Sequence, residues 1–190
     1  MLRPNHCLRL TLRPGKRARS RMDLKAIIAP LEAAIYDPRQ GLPEEVFLFI
    51  SRITPLINVD LLIQDGAGRT LLTWREDESF GQGWHIPGGI IRYNQTTAES
   101  ICDCARRELG AEVTFDGEPL LVSETIRPCR DRGHFISLLY RCRLTTTPDS
   151  ALQWESNSRV NPSPGAWRWH ETCPPNLLEA QAQYARFFAC

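Results

Sequence analysis

Gly81-Gln82-Gly83-Trp84-His85-Ile86-Pro87-Gly88-Gly89, followed after six intervening residues by the run Thr96 to Gly110 (TTAESICDCARRELG), decides the fold. Trp84–Ile86 reads as a short strand that Pro87-Gly88-Gly89 breaks. A double glycine lets the backbone turn sharply and approach a ligand closely. Thr96–Leu109 reads as a helix, with Gly110 as its stop signal. Strand, glycine turn and helix together make a place where backbone carbonyls and helical carboxylates can meet a hydrated metal. Such a metal can bridge phosphate oxygens.

Working outward, residues 23–36 place Leu24, Ile27, Ile28, Leu31 and Ile35 at helical spacing, with a kink expected at Pro30. Pro43 opens a second helix to about Ser51, and Pro55 ends that stretch. Leu56–Ile63 and Thr70–Trp74 read as a hairpin around Asp65-Gly66-Ala67-Gly68. Arg75–Gly83 is expected to be a polar loop and Ile90–Tyr93 a short extended piece. Ala111–Glu124, Phe135–Leu144 and Ala166–Trp169 are expected strands, with a loop over 145–165 and a closing helix over Pro175–Phe188. A helix crossing between strands predicts a sheet covered by helices.

The chain has 190 residues, enough for one domain with a sizeable core. Its net charge of +1 hides an asymmetry. Seven of the 23 basic residues lie in 1–21, which holds no acid, so the remainder is about −6. A mildly acidic body does not indicate a nucleic-acid-binding surface. Residues 1–21 read as a disordered tail, or as residues ahead of a natural start at Met22, in preference to a transit-like segment. No apolar run reaches the length of a membrane span. The seven cysteines are odd in number and have no C-x-x-C spacing, so free thiols in a reducing cytoplasm are expected, not zinc or disulfides.

From Gly89 onward the chain resembles the Nudix box, G-x5-E-x7-R-E-U-x-E-E-x-G-U, without gaps. The frame lands on Gln95, Asp103, Cys104, Arg107, Glu108 and Gly110, so only Glu108 keeps a metal-binding carboxylate. Thr54-Pro55-Leu56-Ile57-Asn58-Val59-Asp60, Leu71–Arg75, Gly83–Gly89, His134–Tyr140 and Trp167-Arg168-Trp169 resemble the GDP-mannose mannosyl hydrolase branch of that family. The resemblance runs from roughly Glu44 to Trp169. It implies a Nudix-type α/β/α sandwich with a mixed β-sheet, preceded by short N-terminal helices, over residues 22–190. It also implies a cytoplasmic, metal-dependent hydrolase of a nucleoside diphosphate linked to a sugar or another group, using Mg²⁺ or Mn²⁺, with a homodimer as its assembly.

The same resemblance assigns residues. Glu108 and the carbonyl of Gly88 would hold the metal. Arg75 would contact the phosphates and stabilise the leaving diphosphate, and Glu108 and Arg75 would carry the catalysis. Asp60 would face the sugar. Arg92 would take the role of an arginine that follows the double glycine in the relatives, where this chain has Ile90. The relatives' late-loop ligand and histidine base fall on Ser163 and Pro164, so no base is assigned.

The helical wheel supplies plainer readings. Ala98, Ile101, Cys102, Ala105 and Leu109 form an apolar stripe, with Glu108 about 80° from its centre. Arg107 falls nearly opposite, as a solvent-facing partner of Asp103. Cys104 reads as an inert thiol, His85 as a hydrogen-bonded core histidine, His134 and His170 as structural, and Trp84, Trp167 and Trp169 as core. The alternative function is a Nudix-fold module that binds a nucleotide sugar or a protein partner without catalysis.

Overall fold

A computed structural model describes residues 23–127, 131–155 and 161–189. The basic leader, Cys7, Cys129 and Cys190 lie outside the described residues. Of the described residues, 23–34 belong to one compact unit and those from 35 onward to a second. In the first, α1 (Leu24–Ala34) continues through Pro30.

The second unit opens with α2 (Glu44–Ser51), behind Pro43. Its strands are β1 (Leu56–Ile63), β2 (Thr70–Asp77), β3 (Gly81–His85), β4 (Gly88–Ile90), β5 (Val113–Phe115), β6 (Leu121–Ile126), β7 (His134–Leu144) and β8 (Trp167–His170), with α3 (Thr97–Leu109) between β4 and β5. The larger sheet runs β4-β1-β7-β5, and β6 also pairs with β7. β1 and β7 are parallel neighbours in its middle, while β4, β5 and β6 are antiparallel, so the sheet is mixed. A smaller sheet runs β3-β2-β8.

From Val59 to Ile63, β1 is buried on both faces, which matches its nearly unbroken apolar run. Val59, Leu61 and Ile63 pack with Ile101, Cys104, Ala105 and Leu109 of α3. Leu62 and Leu139 pack on the other side with Leu72, Trp74, Trp84 and Tyr184. Each of these leucines, fully buried, contributes roughly 1.5–3 kcal/mol. Trp84 and Trp167 are core residues, and Trp74 meets Trp84 edge-on at 5.2 Å.

α3 begins on a capping box, since Thr96 accepts from the Glu99 amide while the Glu99 carboxylate accepts from the Thr96 amide. It ends at Gly110, whose φ of 62° is left-handed. There Ala111 donates to the Ala105 carbonyl and Gly110 to that of Arg106, closing the last turn.

Five elements differ from the sequence reading. The expected hairpin of Leu56–Ile63 with Thr70–Trp74 does not pair along its length, because β1 and β2 lie in different sheets and meet at an isolated Gln64–Thr70 bridge. The expected loop over 75–83 is a tight hairpin, because Arg75, Glu76 and Asp77 pair with Gly83, Gln82 and Gly81. Its turn closes as Asp77 accepts from the Phe80 amide at 2.7 Å. The expected strand over 111–124 is two strands, broken at Asp116-Gly117-Glu118-Pro119. The expected extended piece at 90–93 starts earlier, as β4, and gives way to a turn in which Asn94 has φ 56°. The closing segment is not an α-helix. Asn176 and Leu178 hydrogen-bond the backbone of Trp84, which holds that stretch extended along β3. Only Glu179–Phe187 then coils, as a 3-10 helix.

Candidate active site

A cavity of about 510 Å³ opens beside the edge strand β4. Alternation along a strand puts every second side chain on one face. Leu56, Asn58 and Asp60 of β1 therefore line it together, with Phe135 and Ser137 of the adjacent β7. Gly88 and Gly89 form its rim, and Arg75 reaches it from the smaller sheet. The sequence-assigned Asp60, Arg75, Gly88, Arg92 and Glu108 all lie on its wall.

Gly88 stands opposite Asp60 in the β1–β4 register. A Cβ at Gly88 would lie 2.2 Å from Asp60 Oδ1. A Cβ at Gly89 would lie 2.6 Å from Arg107 Nη2. The double glycine is thus a window in the sheet edge. Through it, side chains of α3 reach the cavity that the opposite face of β1 builds.

Asp60 is 4 % exposed. Tyr184 donates to its Oδ2 at 2.5 Å and Asn58 at 3.5 Å, and Asn58 also donates to Ser137 Oγ at 2.8 Å. Burial raises the Asp60 carboxyl to about 6, against the pull of these hydrogen bonds and of the Arg75 charge. Burial also raises Glu108, while Arg107 and Arg75 hold it down. His85, which donates from Nδ1 to the Ile86 carbonyl and receives the Thr73 hydroxyl at Nε2, is lowered to about 3, chiefly by burial. It is a neutral, tied core histidine whose ring also borders the cavity.

Arg75 is the charge common to Asp60, Glu108, His85 and Arg132. Its Nε lies 3.6 Å from Asp77 Oδ2, and its guanidinium lies 5.4 Å from the Phe80 ring centre. Arg132 sits 5.2 Å from the same centre. Burial lowers Arg132, and so does the neighbouring charge of Arg75. Arg92 is turned outward, with Nη1 donating to the Arg39 carbonyl at 3.1 Å.

The wheel reading of α3 needs correction. The buried residues are Ser100, Ile101, Cys104, Ala105 and Leu109, and Ala98 is exposed. The buried face is rotated about 60° from the expected stripe, toward Cys104. Glu108 then lies near its middle, where the glycine window opens. Arg107 does not pair with Asp103. Arg106 takes that partner in a close ion pair, and Arg107 lies over Gly89 with Nη2 3.7 Å from Glu108 Oε1. Cys104 is a buried thiol pushed well up by burial and by Glu108. Sequence reasoning missed Arg107 and Arg132 as parts of this cavity, and the buried Tyr184 as the partner of Asp60. The box frame had flagged Arg107, whereas Tyr184 lies 124 residues from the carboxylate it contacts.

A model of the NUDIX domain matches residues 54–184. The chain belongs to the Nudix family. Among curated proteins it is similar to the low-salt glycan biosynthesis protein Agl8 of Haloferax volcanii, with 34 % identity over 79 residues, 42 % of this chain. The chain matches only 50 % of that protein's length. Among solved structures it resembles a MutT NUDIX hydrolase of Burkholderia pseudomallei, with TM-score 0.55, 18 % identity and coverage of 72 % of this chain and 99 % of the other. It also resembles a possible diadenosine tetraphosphate hydrolase of Jonesia denitrificans, with TM-score 0.55, 19 % identity and coverage of 71 % and 92 %. At these identities the structures share the Nudix fold. No helix among the described residues is long and apolar enough to cross a membrane.

Nudix hydrolases generally use a divalent metal. The donor set here fits one poorly. Among the described residues, no three His, Cys, Asp or Glu side chains stand together to hold a metal ion. At the other box positions, Gln95 is spent on the turn, accepting from the Arg92 amide at 3.0 Å and donating to Asp103 at 2.7 Å. Cys104 faces the core, and Arg107 places a cation beside the remaining glutamate. Glu108 and the Gly88 carbonyl would supply two oxygens, so waters and substrate phosphates would have to fill the rest of an octahedral shell.

Proposed function

We propose that this chain is a hydrolase of a nucleoside diphosphate linked to a sugar. One observation carries the reading: a single cavity joins a cluster of guanidiniums, two carboxylates and an apolar wall. Arg75, Arg107 and Arg132 would neutralise the diphosphate. Phe47, Ile50, Leu42 and Phe135 offer the flat apolar surface that a base requires. Asp60 and Asn58 offer hydrogen-bonding atoms to a sugar. Charge growing on the leaving diphosphate would fall to Arg75, which is stacked on Phe80 and so held in place. Glu108, raised by burial and reaching through the glycine window, is the carboxylate assigned to the reacting water. The similarity to a glycan biosynthesis protein supports a sugar-linked substrate.

Water attacking the sugar carbon gives free sugar and nucleoside diphosphate. Water attacking phosphorus gives sugar phosphate and nucleoside monophosphate. A release assay on a panel of nucleotide sugars, resolving all four products, tests the proposal. Either product pair supports it, and no product from any substrate removes it.

A second reading is a non-catalytic binding module. The ion pair of Arg107 with Glu108 favours it, since it occupies the remaining box carboxylate. Glu108→Gln separates the two, because a module loses nothing measurable in turnover. A homodimer joined through the N-terminal helices is a further expectation. Leu24, Ile27, Ile28 and Leu31 of α1 are exposed, and light scattering that gives only monomer mass would remove it.

A further inference from the structure

We propose that the cavity binds a diphosphate through protein guanidiniums, with Arg107 supplying the positive charge that a divalent ion supplies elsewhere in the family. The inference rests on the reading of this cavity as a diphosphate site.

Three observations carry it. First, Arg107 occupies a box position where the family pattern has a carboxylate, and it is aimed at the site. Its Nη2 lies where a side chain at Gly89 would begin, 2.6 Å from that Cβ position. Reversing the charge at a metal-ligand position removes a donor and repels a cation. It also puts a planar, multiply donating group where phosphate oxygens must pass.

Second, like charges are gathered on one ring, with Asp77 beside Arg75 and both Asp77 and Glu44 acting on Arg132. Arg75 and Arg132 share the Phe80 ring, at 5.4 and 5.2 Å from its centre, and the charge of Arg75 weakens the hold of Arg132 on its proton. Arg132 Nε is buried and has no hydrogen-bond partner among the described residues. Holding guanidiniums together in this way costs energy that an anion between them returns.

Third, the two carboxylates at the site are poor cation ligands as placed. Glu108 is engaged by Arg107 at 3.7 Å. Asp60 Oδ2 takes the Tyr184 hydroxyl at 2.5 Å and sits in a buried network.

The probe is inorganic pyrophosphate, titrated calorimetrically into the full chain in EDTA and again with excess Mg²⁺. Manganese binding is followed separately by the electron paramagnetic resonance of free Mn²⁺. We expect pyrophosphate to bind in EDTA and Mg²⁺ to add little. We expect the free Mn²⁺ signal to be unchanged by the protein. Arg107→Gln should weaken binding in EDTA by about tenfold or more. Arg106→Gln, which alters an exposed pair outside the cavity, should leave it unchanged. Where Arg107→Gln fails to fold, Gly89→Ala displaces the same guanidinium from the other side and should weaken binding likewise.

Binding that appears only with Mg²⁺ overturns the inference. So do tight Mn²⁺ binding by the wild type, an unaffected Arg107→Gln, and no pyrophosphate binding at all. The two readings fail separately. Pyrophosphate binding in EDTA with no turnover of any nucleotide sugar sinks the hydrolase and leaves the arginine site. Turnover that needs Mg²⁺ sinks the arginine site and leaves the hydrolase.

Discussion

Arg107 Nη2 lies 2.6 Å from the point where a Cβ on Gly89 would stand, so the two residues exclude any side chain between them. The obstructing atom is the far end of a flexible arginine, not backbone. Gly89→Ala should therefore fold almost as well as the wild type while pushing the guanidinium out of its place. We expect the unfolding midpoint to shift by only a few degrees and pyrophosphate affinity to fall by about tenfold. Unchanged affinity would mean that Arg107 binds nothing from that position.

Its neighbour behaves differently. A Cβ at Gly88 would meet Asp60 Oδ1 at 2.2 Å and the Val59 carbonyl oxygen at 3.0 Å, both on the strand to which β4 is paired. Neither can yield without moving β1 or breaking the Asp60 network. Gly88→Ala should cost about 1–3 kcal/mol, read as a drop in the urea midpoint. Equal stabilities for the two alanine variants would contradict the geometry of the glycine window.

Asp60 makes stability depend on pH in a direction unusual for a carboxylate. Its carboxyl is raised from 3.8 to about 6, mainly by burial. Its favourable contribution is therefore full below pH 3.8 and lost as pH rises through about 6. Each pH unit between these values is worth about 1.4 kcal/mol, so the charged form costs the fold roughly 3 kcal/mol at pH 8. Asp60→Asn removes that charge and keeps an oxygen for the Tyr184 hydroxyl. Urea unfolding should find the variant more stable than wild type at pH 8, by roughly 1–3 kcal/mol. The gain should vanish near pH 4. A variant less stable than wild type at pH 8 would show that the carboxylate is better compensated than its burial implies.

The sheet was legible because β1 and β7 carry nearly continuous apolar runs, and the ends of α3 because Thr96, Glu99 and Gly110 specify them locally. The hairpin at 77–81 was not, since its polar residues pair across strands and lack the alternation of a half-buried strand. The C-terminal segment was misread because its conformation is set by backbone bonds to Trp84, about 90 residues away in sequence. At the site, the box frame and the flanking resemblance pointed to Asp60, Arg75, Gly88 and Glu108, and all four line one cavity. Arg107 was misplaced because the wheel was centred on Ala98 and Cys102. The polar Ser100 carries no hydrophobic signal, and two cysteines on different faces, Cys102 and Cys104, cannot be ranked by type, yet Ser100 and Cys104 are the residues buried. Arg132 had no signature at all. Only the fold brings it to the Phe80 ring beside Arg75.

Glu108 gives the sharpest division between function and affinity. Its carboxylate is raised by burial, and its Oε1 faces Arg107 at 3.7 Å. An incoming diphosphate is repelled by this charge and must compete with it for Arg107. Glu108→Gln removes both obstacles and keeps the side chain's shape, so pyrophosphate should bind as tightly as to the wild type or more tightly. Turnover of a nucleotide sugar should fall by about a hundredfold or more if the carboxylate handles the reacting water. Calorimetry and a product-release assay on the same preparation read the two effects together. Tighter binding with lost turnover assigns Glu108 to the chemistry and Arg107 to the phosphates. Binding that Mg²⁺ strengthens in the wild type but not in the Gln variant would instead make Glu108 a metal ligand, and the cation beside it a supporting group.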